Sequence, residues 1–196
     1  MVEHHGWQVP SAFGSADGEA AQVRDAVGVS DVSWMVKLDL QGAALQAPPA
    51  WEEASFWCLG RRRYLLTCEP TAANLVGDRL RELQSARTDP SLPLPIYVTD
   101  VTSVYTHLWL AGPRSREVLN KLTSLNLSDG GLRNQNCAPA SVAHVRAIVL
   151  RQDLKALPAY HVLVGREYGE SVWESVLHAG HEFHIAKVGL EGRRLL

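Results

Sequence analysis

Strand-patterned and helix-patterned segments are interleaved along this chain, and hairpin-length connections join several of them. Ser55 to Leu59 and Tyr64 to Cys68 read as two strands around Gly60-Arg61-Arg62, where the glycine can take a positive φ and reverse the chain. Ser141 to Arg151 is the longest strand candidate, and Tyr160 to Val164 pairs with it across a loop holding Pro158. Val29 to Leu40 and Val104 to Ala111 read as further strands, the second ending at Gly112-Pro113. Helical spacing appears from Glu19 to Ala26, with Asp17 or Gly18 near its start. It recurs from Pro70 to Gln84 (apolar face Leu75, Val76, Leu80, Leu83) and from Arg114 to Leu122 (Val118, Leu119, Leu122). A fourth helix runs from Glu167 to His178 (Val172, Trp173, Val176, Leu177), and a last helical turn begins near Gly189. Residues 1–18 are expected to run extended over the surface. Loops are expected around Pro48-Pro49, over 86–95 and over 124–136.

This order predicts an α+β fold with mostly antiparallel sheets and helices packed on one face. The strand-helix-strand spacing suits split βαβ units of the ferredoxin-like type. At 196 residues the chain is expected to form one domain, residues 1–196, of two subdomains with their boundary near 90–96.

Composition excludes several classes. Apolar residues make up 46% and charged residues 20%, the balance of a globular protein rather than a disordered one. A formal charge of -2, with Arg61-Arg62-Arg63 as the longest basic run, gives no field for nucleic acid. No apolar run is long enough to cross a bilayer, and the first residues do not have the pattern of a signal peptide. Cys58, Cys68 and Cys137 are an odd set without CxxC spacing, which suits a reducing cytoplasm and buried thiols.

Three blocks, in order, resemble the aminomethyltransferase family, the glycine-cleavage T-proteins. Ala26 to Gly42 holds Asp31-Val32-Ser33-Trp34-Met35 and resembles the family's Asp-x-Ser-His-Met segment and the strand that follows it. Leu108 to Leu119 resembles its strand, Gly-Pro turn and helix. Ala159-Tyr160-His161 through Trp173-Glu174, then Gly189-Leu190, resembles the approach to its Gly-Leu-x-Ala-Arg-Asp block. The resemblance implies the family's folate-binding domain and tetrahydrofolate as the cofactor, with none held covalently. The family's carboxy-terminal barrel is expected to be absent.

The departures bear on activity. The family carries an Asp-Asp pair whose carboxylate handles a proton at the folate nitrogens, and this sequence has no Asp-Asp. Glu52 and Glu53, the nearest carboxylates, read as a solvated loop. The family's Glu after the aromatic of the third block, which accepts paired hydrogen bonds from the pterin, is replaced by His161. The family's His and Gly on either side of Met35 are here Trp34 and Val36, which would crowd a pocket. No catalytic residue is therefore expected.

The same losses are found in the gamma subunit of heterotetrameric sarcosine oxidase. This chain also resembles that subunit around Asn136-Cys137-Ala138, Leu150-Arg151, Pro158-Ala159-Tyr160 and Val172-Trp173. That resemblance implies a non-catalytic subunit beside larger flavoprotein chains, or one that associates with itself, in the cytoplasm, with no nucleic acid or membrane partner. The other reading is a stand-alone tetrahydrofolate-binding one-carbon protein.

If a folate pocket is kept, the matched positions form its walls. Met35 would pack on the pterin face, Tyr105 and Trp109 would line the cavity, Tyr160 and His161 would face the pterin edge, and Arg151 and Arg193 would meet glutamate carboxylates. The plainer reading makes Met35, Trp109 and Tyr160 core residues and the arginines surface residues. His178, His181 and His184 are interrupted by Gly180, and no metal is expected. Cys137 reads as an inert thiol, and Trp7, Trp51 and Trp57 as candidates for a partner surface.

Overall fold

The computed structural model describes residues 1–42, 50–85 and 96–196. The expected loops at Pro48-Pro49 and 86–95 lie outside these residues, as does nearly all of the expected boundary. The chain forms two compact units, Met1–Ser33 with Val104–Leu196, and Trp34–Ser103.

The discontinuous unit begins with a hairpin, β1 (Val2–His4) and β2 (Trp7–Val9), where the sequence suggested only extended chain. Its turn residues His5 and Gly6 both have positive φ, the geometry of a tight hairpin. Helix α1 (Ala16–Asp25) starts earlier than expected, because the Ser15 hydroxyl caps it by accepting from the Gly18 amide. β3 (Gly28–Asp31) follows directly.

The single strand expected over Val29 to Leu40 is instead two, in different sheets: β3 and, in the second unit, β4 (Val36–Gln41). Side-chain chemistry explains the break. Asp31 Oδ1 accepts from the Ser33 amide at 2.8 Å and from the Ser33 hydroxyl at 2.5 Å, an Asx turn that takes the backbone out of the ladder. The Ser33 oxygen in turn accepts from the His107 amide at 3.0 Å.

In the second unit β5 (Ala54–Gly60) and β6 (Arg63–Cys68) form the expected hairpin, and β4 pairs with β6. The positive φ falls on Arg62 (64°) rather than on Gly60. A short 3-10 turn at Pro70–Ala72 leads into α2 (Ala73–Ser85). Val76 and Leu80 are buried on this helix, and Leu75, expected on the same face, is exposed. β7 (Tyr97–Asp100) completes an antiparallel sheet of order β5-β6-β4-β7. Leu40, Tyr64, Leu66, Val76, Leu80 and Ile96 form this unit's helix-side core.

Returning to the first unit, β8 (Tyr105–Ala111) turns at Gly112 into α3 (Ser115–Asn120). Gly112 has φ +121°, and a Cβ there would meet the Ala26 and Val23 carbonyls at 2.5 Å, so only glycine fits. The long strand expected over Ser141 to Arg151 is a hairpin of β9 (Asn136–Val142) and β10 (Val145–Arg151). Its turn, Ala143-His144, has both residues left-handed (φ 49° and 66°) and carries none of the Asn or Gly that advertises such a turn. β11 (Ala159–Gly165) pairs with β10 as expected. α4 (Gly169–Gly180), β12 (Ala186–Lys187) and α5 (Leu190–Arg194) close the element order. The sheet runs β12-β3-β8-β11-β10-β9, antiparallel except for β12 against β3. Helices α3 and α4 cover one face, packing Val118, Leu119, Val172 and Val176 onto Val29, Leu108, Leu110, Val149, Val162 and Val164. No helix among the described residues is long and apolar enough to cross a membrane.

Candidate functional site

Strand alternation sorts the expected site residues into two groups. Leu108, Leu110, Tyr160, Val162 and Val149 belong to the helix-side core. Tyr105 and Trp109 on β8, and His161 on β11, therefore point to the other face, with His161 directly opposite Trp109 and Trp109 opposite Ser30. Trp109 and His161 are both buried, and the Arg193 guanidinium lies 5.8 Å from the Trp109 ring centre. Tyr105, Trp109, His161 and Arg193 thus share one face of the six-stranded sheet.

Tyr160 and Arg151 stand on the opposite, helix-covered face, so Tyr160 and His161 do not present one common edge. The Tyr160 hydroxyl donates to the Leu127 carbonyl at 3.3 Å and accepts from Arg116 Nε at 3.2 Å. Arg151 is a buried structural cation rather than a surface residue. It donates to both Asp153 oxygens at 3.0 and 2.9 Å, to Asp129 at 2.6 Å and to the Leu132 carbonyl at 2.9 Å. Those carboxylates push its pKa further up, and they fasten the 126–134 and 152–158 loops to the sheet. Met35 lies in the other unit. It is buried, and its carbonyl accepts from the Lys37 ammonium at 2.7 Å.

The residue that sequence reasoning missed is His107. It sits two places before Trp109 on β8, is fully buried, and its Nε2 lies 2.7 Å from Nδ1 of His161. One ring donates to the lone pair of the other. Burial, with a smaller contribution from the Arg193 charge, lowers the His161 pKa to about 3, so this imidazole is neutral across the physiological range. Period-two spacing from Trp109 was the available signal.

Two carboxylates, Glu19 and Glu53, are engaged elsewhere. Among the described residues Glu19 is the buried one, and it accepts from the amides of Phe13 (2.6 Å), Gly14 (2.9 Å) and Gly189 (2.8 Å). Glu53, expected to be solvated, pairs with Arg79, which lies over Trp51. Trp57 is in the interior with its Nε1 donating to Thr67, and Trp7 lies half-buried beneath Arg166; neither is a free loop residue. The cysteines differ from one another. Burial pushes the Cys68 thiol up to about 11, Cys137 is half-buried and Cys58 is exposed.

The architecture is a mixed α+β domain with open, mostly antiparallel sheets. The family model for the GCVT N-terminal domain matches residues 51–196, and the chain belongs to that family. It is 26% identical to the aminomethyltransferases of Acidobacterium capsulatum and Streptomyces coelicolor, and all of it aligns to 57% and 58% of their lengths. The chain therefore spans rather more than half of the curated relatives it matches. The fold is that of aminomethyltransferase T from Bartonella henselae, with a TM-score of 0.73 and 15% identity over 98% of this chain and 56% of that one. It is also similar to a chain of heterotetrameric sarcosine oxidase from Corynebacterium sp. U-96, with a TM-score of 0.61 and 20% identity over 88% of this chain and 94% of that one.

Proposed function

We propose that this chain is a non-catalytic, gamma-like subunit of a flavin-dependent oxidase acting on sarcosine or a related N-methyl amine, working in the cytoplasm against larger flavoprotein subunits. One observation carries the reading. Where the family resemblance calls for a pterin-binding carboxylate stands His161, buried, neutral and committed to His107 at 2.7 Å. A neutral imidazole already bonded on one nitrogen cannot accept the paired donors of an amino-pyrimidine edge, nor can it serve as an acid group there. The likeness in fold to a chain of heterotetrameric sarcosine oxidase, 94% of which is covered, supports a subunit role.

Purification from the native host tests it. Flavin absorbance should co-elute with this chain in fixed stoichiometry. A monodisperse flavin-free monomer from the same cells would overturn the assignment.

The second reading, a stand-alone protein that binds tetrahydrofolate for one-carbon transfer, draws support from the alignment of the whole chain with aminomethyltransferases. It places Tyr105, Trp109, His161 and Arg193 at the ligand. Titration with tetrahydrofolate separates the two. Saturable quenching of tryptophan fluorescence favours the folate protein, and a flat titration favours the subunit.

A further inference from the structure

The sequence contains two Asp-Gly pairs, Asp17-Gly18 and Asp129-Gly130. This dipeptide is where a main-chain amide can most easily attack the preceding side chain, because glycine puts no Cβ in the way. We propose that Asp129 is a site of spontaneous covalent modification, cyclising with Gly130 to a succinimide and reopening largely as isoaspartate, while Asp17 is protected. The step is a dehydration followed by a hydrolysis. The Gly130 nitrogen bonds to Asp129 Cγ and gives up its proton, the Cγ–OH bond breaks, and one water leaves. Water then opens the ring at either carbonyl, returning aspartate or routing the backbone through the side chain.

Both aspartates are exposed, and the two sites differ in backbone conformation and in what holds the neighbouring glycine amide. Asp17 lies within α1, and the Gly18 amide, which would be the nucleophile, donates to the Ser15 hydroxyl that caps the helix. Helical dihedrals and that bond together hold the amide away from the side chain. Asp129 lies in the irregular segment between α3 and β9, and its side chain is 79% exposed. Hydrogen bonds around it run from Gly131 to the Ser128 carbonyl and from Leu132 to the Asn126 carbonyl, passing over the Gly130 amide. Space around Gly130 is open, a Cβ there coming no nearer than 3.8 Å to the Ser128 hydroxyl.

Asp129 is also the residue whose loss of position matters. One of its oxygens accepts from Arg151 at 2.6 Å and from Arg116 at 3.2 Å, and Arg151 is buried. Isomerisation shifts the carboxylate by one carbon and lengthens the backbone, so that oxygen leaves the two guanidiniums. The same pairs hold the Asp129 carboxyl well below the ordinary carboxylate range, with Arg151 the first cause. Because hydroxide leaves as water only from the protonated acid, the ion pairs slow the reaction. Screening them with salt, or lowering the pH mildly, should speed it.

The test is prolonged incubation of the folded protein below its unfolding temperature, followed by peptide mapping with enzymatic isoaspartate methylation. The expected result is a methylatable peptide, and a fraction lighter by one water, containing Asp129, in several-fold excess over the Asp17 peptide. Raised salt should increase the yield. Gly130→Ala should cut it several-fold with no change in the circular dichroism spectrum, and Gly18→Ala should leave it unchanged. Equal modification at both sites, or an unmodified Asp129 peptide after incubation, would overturn the proposal.

Discussion

At the scale of single residues, the buried imidazole pair and the buried carboxylate dominate. His161 has a pKa of about 3 in the folded chain against 6.5 when unperturbed. Between those values the unfolded chain binds a proton that the folded chain refuses. Its contribution is therefore intact above 6.5 and is lost as pH falls through that window, by up to ~1.4 kcal/mol per pH unit. His161→Gln, which keeps a hydrogen-bonding group beside His107 but does not titrate, should flatten this acid limb in urea-unfolding curves taken across pH. Glu19 satisfies three amides from two separate stretches of chain. Glu19→Ala strands all three, and a loss on the order of 3 kcal/mol or more is expected from the urea midpoint. Tyr105, Trp109, His161 and Arg193, which share one face of the sheet, had been named from the resemblance. His107 was not, because a histidine in a strand carries no mark of its neighbour across the sheet. Tyr160 and Arg151 were placed in the same pocket because adjacency in sequence and in motif says nothing of which face a strand residue takes until the register is known.

At the scale of elements, hydrophobic periodicity located α2, α4, β6, β8 and β11 closely, and turns decided the errors. Val29 to Leu40 looked continuous because an Asx turn uses only Asp31 and Ser33, residues that also occur in strands. Ser141 to Arg151 looked continuous because Ala143-His144 turns without a turn-forming residue. That second case is correctable. Replacing the pair with Asn-Gly puts residues that tolerate the left-handed region at both positions and should stabilise the protein by about 1 kcal/mol, read as a higher urea midpoint with unchanged slope. The Ala143 amide bond to the Leu122 carbonyl is kept in that variant, since asparagine retains its main-chain donor.

At the scale of the molecule, the division into two units was legible only as a boundary near 90–96, whereas the chain changes units after Ser33 and again after Ser103. A sequence pattern reports where elements begin, not which sheet each one joins. Each unit has its own helix-side core. Leu66→Ala, which hollows the core of residues 34–103, should therefore speed hydrogen exchange in β4, β5 and β6 while the β8 and β11 amides keep most of their protection.

The nesting of one unit inside the other also sets an order of events during synthesis. Strand β3 is made early, yet its ladder partners, β8 and β12, emerge only after residues 104 and 185 have been translated. The inserted unit, whose described strands lie in one stretch, is complete just before β8 is made and long before β12. On a ribosome moving from the amino end, the guest would ripen first while β3 waits, one edge for β8 and the other, much longer, for β12.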